Sequence, residues 1–363
     1  MLYYIFYSLR DLWFGFNVFK YITFRAAMAA VTAFFLTLIL APWVIRWLTE
    51  LKMGQHIRQE EEVRGLYHLH SHKHGIPTMG GLLILLALLG SSFLWGAFLN
   101  LKLLLAMGVT VAFGAIGFWD DLLKVRRENS KGLSSRAKLF WQGTVSVAFL
   151  TILLLDVTYP TSLEIPFVKN SIVNLAHWYM PFAFLVLVGT TNAVNLTDGL
   201  DGLAIGCTIL IGLTLTVLTY LTGHKILADY LLIPFIPGAG ELTIFCAALV
   251  GASMGFLWYN APPANVFMGD VGSLAIGGAI GSVAVLIKKE LLLVIIGGIF
   301  VMETLSVILQ VASFKLTGRR IFLMTPIHHH FQLIGWPESK VTIRFWIIGA
   351  VLALISLSTL KLR

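Results

Sequence analysis

The chain has 363 residues, 58% of them hydrophobic and only 12% charged, with a mean hydropathy of +0.85. Soluble domains carry about 25% charged residues, so the composition excludes an ordinary water-soluble fold and implies a lipid-embedded one. A formal net charge of +8, from 26 Lys+Arg against 18 Asp+Glu, would suggest nucleic acid in a soluble protein. In so apolar a chain it reads as the positive-inside bias of a polytopic membrane protein, and no nucleic-acid partner is expected.

Along the chain, the first twenty residues are broken by Arg10 and Asp11, are rich in Tyr, Phe and Trp, and read as an interfacial segment rather than a signal peptide. Hydropathy over a window of roughly 19 residues then predicts ten spans near the length needed to cross a bilayer. They cover 26–44, 80–98, 103–119, 139–155, 178–191, 203–221, 242–258, 271–287, 291–314 and 341–360. The segments 46–73, 124–138 and 315–344 hold 5, 6 and 5 basic residues, 16 of the 26, and are assigned to the cytoplasmic face. An even number of crossings then places both termini in the periplasm. The expected fold is all-α and polytopic, one integral membrane domain over 1–363, without repeats or a separate soluble unit. Cys207 and Cys246 lie inside apolar runs and offer neither a disulfide framework nor a metal pattern.

Polar motifs punctuate the ends of these spans, where ionisable groups mark function by default. His68, His70, His72, Lys73 and His74 precede Pro77-Thr78-Met79-Gly80-Gly81, and Lys73 and Thr78 could hold phosphate or belong to a solvated loop. Asp120 and Asp121 end one span. Adjacent helical residues diverge by about 100°, so the two meet at one atom only where the helix ends; alone, they could equally be paired with Lys124, Arg126 and Arg127.

In Asn192-Ala-Val-Asn195-Leu-Thr-Asp198-Gly-Leu-Asp201-Gly202, polar residues recur at every third position, and one turn could direct Asn195, Asp198 and Asp201 to neighbouring points. Asp and Gly before a helix are also ordinary capping chemistry. Asp270, between Gly269 and Val271-Gly272, suits Mg²⁺, which takes one or two carboxylates together with substrate phosphates. Phe267 offers either a stacking face or a lipid anchor. The run His328-His329-His330 does not share one helical face and has no partner cluster at zinc spacing, so phosphate contact or proton transfer suits it better. Neither a Walker-type nor a Gly-x-Gly-x-x-Gly run is present.

The strings 117–121, 192–204, 267–274 and 326–330, with 77–81 and 303–310, closely resemble the phospho-N-acetylmuramoyl-pentapeptide transferase family, in the polyprenyl-phosphate N-acetylhexosamine-1-phosphate transferase superfamily. The resemblance covers nearly the whole chain; Gln332 stands where many relatives carry Glu. It implies a bacterial inner-membrane enzyme that transfers phospho-MurNAc-pentapeptide from UDP-MurNAc-pentapeptide to undecaprenyl phosphate, releasing UMP and forming lipid I, with homodimers usual. It further implies Mg²⁺ held by Asp270 with Asn195 as second ligand, Asp120 as base or orienting group, and Asp121, Asp198 and Asp201 shaping the site. Asp201, Asn260, Phe267 and Lys73 would contact uridine; Lys124, Lys138 and His328, His329 and His330 would hold phosphates and the sugar-peptide. Whether Asp270 is a metal ligand or a nucleophile stays open, with the metal role favoured. A sister UDP-GlcNAc transferase and a cation-coupled transporter are the alternatives.

Overall fold

The computed structural model describes residues 1–51, 75–127, 132–156, 159–168 and 172–360. Its helices are α1 (Leu2–Ser8), α2 (Ile22–Glu50), α3 (Gly81–Trp95), α4 (Leu101–Arg126), α5 (Ser135–Leu154), α6 (Tyr179–Thr197) and α7 (Leu203–Thr222). They continue with α8 (Lys225–Leu231), α9 (Glu241–Asn260), α10 (Gly269–Leu286), α11 (Glu290–Ile296), α12 (Gly298–Thr317), α13 (Ile327–Leu333) and α14 (Glu338–Ser358). Each expected span falls on a helix. Among the described residues nine helices are long and apolar enough to cross a membrane, and α3, with 15 residues, is apolar but shorter. One expected span, 291–314, is two helices, α11 and α12, divided at Gly297. Two consecutive glycines, Gly297 and Gly298, leave the backbone free to bend there, a feature invisible to a hydropathy window.

Helix α10 is the axis of the bundle. Every residue from Val271 to Leu286 is buried, as expected of a helix apolar on all sides, and α3, α4 and α6 pack around it. Small side chains bring main chains into contact: a methyl group on Gly277 would lie 2.4 Å from Thr191 Cα of α6. Hydroxyls inside the bundle bond back along their own helices, as Thr191 Oγ1 does to Leu187 O (2.8 Å) and Thr208 Oγ1 to Ala204 O (2.8 Å). Such back-bonding satisfies polar groups that lipid cannot.

Beyond the far end of α10, the short strands β1 (Ser162–Glu164) and β2 (Ile172–Asn174) pair antiparallel, Leu163 opposite Val173. Lys289 pairs with Glu164, and Lys288 Nζ lies 3.0 Å from Glu290 Oε1, which also accepts from Tyr179 OH (2.6 Å). This buried network fastens the hairpin to the corner between α10 and α11. Burial pushes Lys288 down to about 8 and Lys289 down to about 7, against 10.5 for a free lysine.

Because unfolding lets these lysines bind protons that the folded chain releases, their contribution to stability grows as pH rises from about 7 towards 10. In detergent melts, the thermal margin of the wild-type chain over Lys289→Met is expected to widen between about pH 6.5 and pH 9. A margin that shrinks over this window would contradict the burial of these ammonium groups.

Candidate active site

The site starts with the last two turns of α4. Helical spacing places Lys124 three and four residues after the aspartate pair, and its ammonium reaches both, 2.6 Å from Asp120 Oδ2 and 3.2 Å from Asp121 Oδ1. The expectation that adjacent aspartates converge only at a helix end is therefore corrected: α4 runs on to Arg126, and a long flexible lysine brings the two carboxylates to one group. Both acids are buried, at 1% and 2% exposure. Asp120 Oδ1 accepts from Leu133 N (2.8 Å), just before α5, and Asp121 Oδ2 accepts from Val271 N (3.1 Å), in the first turn of α10.

Asp270 completes the cluster from the start of α10. Its Oδ2 lies 3.0 Å from Lys124 Nζ and 2.5 Å from Lys138 Nζ, and Lys138 also stands 3.4 Å from Asp120 Oδ2. Its Oδ1 accepts from Asn195 Nδ2 (2.8 Å), which donates as well to Ser273 Oγ (2.8 Å). Contact between α4 and α10 at this level depends on Gly117, where an added Cβ would lie 2.1 Å from Asp270 O.

Ligand oxygens of Asp120, Asp121 and Asp270 fall within 4.8 Å of one another. Three acids thus face two lysines, one acid more than there are bases to pair with it. Asp120 Oδ2 is sealed from solvent and, apart from its ion pairs, accepts no aligned hydrogen bond. An all-oxygen, electron-rich set of this kind fits a hard divalent cation.

The Asn195-to-Gly202 stretch does not converge on one point as its spacing suggested. α6 stops at Thr197 and the chain turns, so Asn195 faces Asp270 while Asp201 Oδ2 accepts from Ala264 N (3.0 Å) and Asp201 N donates to Glu338 Oε1 (2.6 Å). Asn260 closes the same junction, accepting from Gly202 N (3.0 Å) and donating to Val266 O (2.9 Å). Asp198, between these two directions, is held well above the ordinary carboxylate range by burial and by the charges of Asp270, Asp121 and Asp201.

Thr78 and Phe267 lie on two irregular segments that pair: Phe267 N donates to Pro77 O (2.9 Å) and Gly80 N to Phe267 O (2.8 Å). Lys73 and the neighbouring histidines lie outside the described residues. On α13 the three histidines point separately, as adjacent helical positions require. His328 is fully buried beside Glu303, His329 Nδ1 meets Gln332 Oε1 (2.9 Å), and His330 Nδ1 accepts from Leu323 N (3.2 Å). Sequence reasoning missed Ser273, Glu338 and the backbone donors at 133 and 271. Only contacts between distant segments reveal them.

Overpacking a tight contact destabilises by about 1–3 kcal/mol, whereas Gly→Ala in an open helical position is neutral or stabilising by up to about 1 kcal/mol. Gly117→Ala is therefore expected to lower the thermal midpoint in detergent, while Gly108→Ala on the same helix, with open space around it, leaves the midpoint level or raises it. Equal behaviour of the two variants would contradict the close approach of α4 to Asp270.

Residues 103–288 match glycosyl transferase family 4, and residues 73–85 match phospho-N-acetylmuramoyl-pentapeptide-transferase signature 1. A phospho-N-acetylmuramoyl-pentapeptide-transferase of Thermodesulfovibrio yellowstonii is 52% identical across the whole of both chains. Its namesake in Oleidesulfovibrio alaskensis is 51% identical over 96% of each chain, and that of Nitratidesulfovibrio vulgaris is 52% identical over the whole of both. With identity of this depth from end to end, and with the signature running into the first turn of α3, the chain belongs to the phospho-N-acetylmuramoyl-pentapeptide-transferase family.

Proposed function

We propose that this multi-pass membrane transferase moves phospho-MurNAc-pentapeptide from UDP-MurNAc-pentapeptide to undecaprenyl phosphate, giving lipid I and UMP for peptidoglycan synthesis, at a single Mg²⁺ centre. The carrying observation is the convergence of Asp120, Asp121 and Asp270 with Lys124 and Lys138 at one end of the bundle. That end is read as the cytoplasmic face of the bacterial inner membrane, because the sequence segments 46–73, 124–138 and 315–344 hold 16 of the 26 basic residues. Both termini then face the periplasm, and the enzyme acts as a homodimer.

Mg²⁺ would be held by Asp270, with Asn195 beside it and Asp120 and Asp121 within reach, and supplies neutralisation of charge on the donor pyrophosphate. Asp120 orients the lipid phosphate or takes its proton. A phosphate monoester loses its second proton near about pH 6, so positioning accounts for most of this role. A lipid phosphate oxygen attacks the sugar-bearing phosphorus; one P–O bond forms as the bond to UMP breaks, and UMP leaves with the electron pair. Lys124 and Lys138, which neutralise carboxylates in this structure, turn to phosphate oxygens as the substrates bring further negative charge. Asp198, Asp201, Asn260, Phe267, Thr78 and Lys73 form the nucleotide side, and His328, His329 and His330 serve the sugar-peptide side. Engagement of Asp201 and Asn260 with the main chain at 202, 264 and 266 supports a preshaped nucleotide pocket.

Purified Asp270→Ala should lose at least about 10²–10⁴-fold in turnover with Mg²⁺ present, and chelation should silence the wild type until Mg²⁺ is returned. Near-normal turnover of the variant would contradict the assignment. A donor with a chirally labelled phosphorus should give inverted product, whereas retention would indicate two displacements with Asp270 as nucleophile. UMP release is expected only when donor and lipid phosphate are both added; release independent of either would reinstate the transporter reading.

A further inference from the structure

Glu303 has no part in the aspartate centre, yet it is one of the most deeply buried acids of the molecule. It sits on the inward stripe of α12 with Phe300 and Ser306, at 0% exposure. An acid sealed within a spanning helix is expensive unless it is paired, and marks function by default. Its closest polar partner among the described residues is His328, whose Nδ1 lies 3.1 Å from Glu303 Oε2 in a close contact rather than an aligned hydrogen bond; neither carboxylate oxygen has an aligned donor.

His328 is also at 0% exposure, and its opposite edge presses on the turn after α6. An added Cβ on Gly199 would lie 2.3 Å from His328 Nε2. An ionised carboxylate accepts hydrogen bonds and cannot donate them, so with Glu303 ionised the 3.1 Å approach of its Oε2 favours the imidazole proton on Nδ1 and leaves Nε2, which has no hydrogen-bond partner, as the edge presented to the turn at Gly199. His330 has the reverse constraint: its Nδ1 accepts from Leu323 N, so its proton belongs on Nε2. Different partners thus favour opposite tautomers for two histidines of one short helix.

We propose that Glu303 is a positioning residue that holds His328 with its proton on Nδ1 and aims Nε2 at the Asp198–Gly202 turn. The catalytic consequence rests on reading that turn as part of the donor site; the tautomer does not. Nitrogen-15 histidine spectra of the full chain in detergent, with His328 assigned by its loss in His328→Gln, should show an Nδ1–H tautomer in the wild type. Glu303→Gln keeps an acceptor oxygen and should retain that tautomer and at least about a tenth of turnover. Glu303→Leu should give mixed tautomers and lower kcat by about 10²-fold with KM changed less than about threefold. Adding Glu303→Leu to His328→Gln should cost less than about twofold more, as for residues acting through one another.

An Nε2–H tautomer in the wild type would overturn the proposal even if the leucine variant does not fold. So would an unchanged tautomer in folded Glu303→Leu, or full additivity of the two substitutions. If His328→Gln alone leaves kcat/KM intact while the tautomer is as stated, it is the donor-site reading that fails, and the positioning by Glu303 stands.

Discussion

Three carboxylates gathered where spanning helices end need compensating charge, and Lys124 and Lys138 supply it within 2.5–3.4 Å of Asp120 or Asp270. Removing one member of such a cluster leaves uncompensated charge in a poorly solvated place, so its geometry constrains everything around it. Helices α4, α5 and α10 must end at one level, and α4 must touch α10 without an intervening side chain, which Gly117 permits. The wholly buried α10 then acts as a rigid post carrying Asp270 in its first turn. An incoming pyrophosphate and a lipid phosphate meet a site whose cationic groups are already gathered, so little reorganisation is left for the moment of reaction.

The far end of the bundle solves a similar problem differently. Lys288, Lys289, Glu290 and Glu164 are all nine-tenths buried or more and form paired contacts, and Tyr179 OH donates to Glu290 Oε1. The aspartate cluster carries one carboxylate more than it has lysines, whereas this network balances two acids with two lysines. The surplus acid suits the aspartate cluster to the proposed cation, whereas the evenly paired network fastens a hairpin.

Much of this was legible in the sequence because transfer of apolar side chains from water is a local property that a window can sum. Nine of the ten apolar runs fall on one helix each and the tenth on two, and Asp270 lies in the first turn of its helix, whereas Asp120 and Asp121 lie inside α4. Misreadings came where three-dimensional contact decides. Regular spacing of Asn195, Asp198 and Asp201 suggested one shared face, but α6 ends at Thr197 and sends them to different partners. Asp120 and Asp121 share a target inside a continuous helix because a lysine side chain spans the angle between them. Lys138 and Glu303 drew their significance from segments over a hundred residues away and from α13 respectively, which no local pattern encodes.

The central claim, one divalent-cation centre built by three acids from two distant segments, is most directly tested by Mn²⁺ binding followed by electron paramagnetic resonance on the detergent-purified chain. The account predicts a single bound Mn²⁺ per chain, displaced by Mg²⁺ and weakened by Asp120→Asn, Asp121→Asn and Asp270→Asn alike. Mn²⁺ that binds with undiminished affinity in all three variants would contradict it.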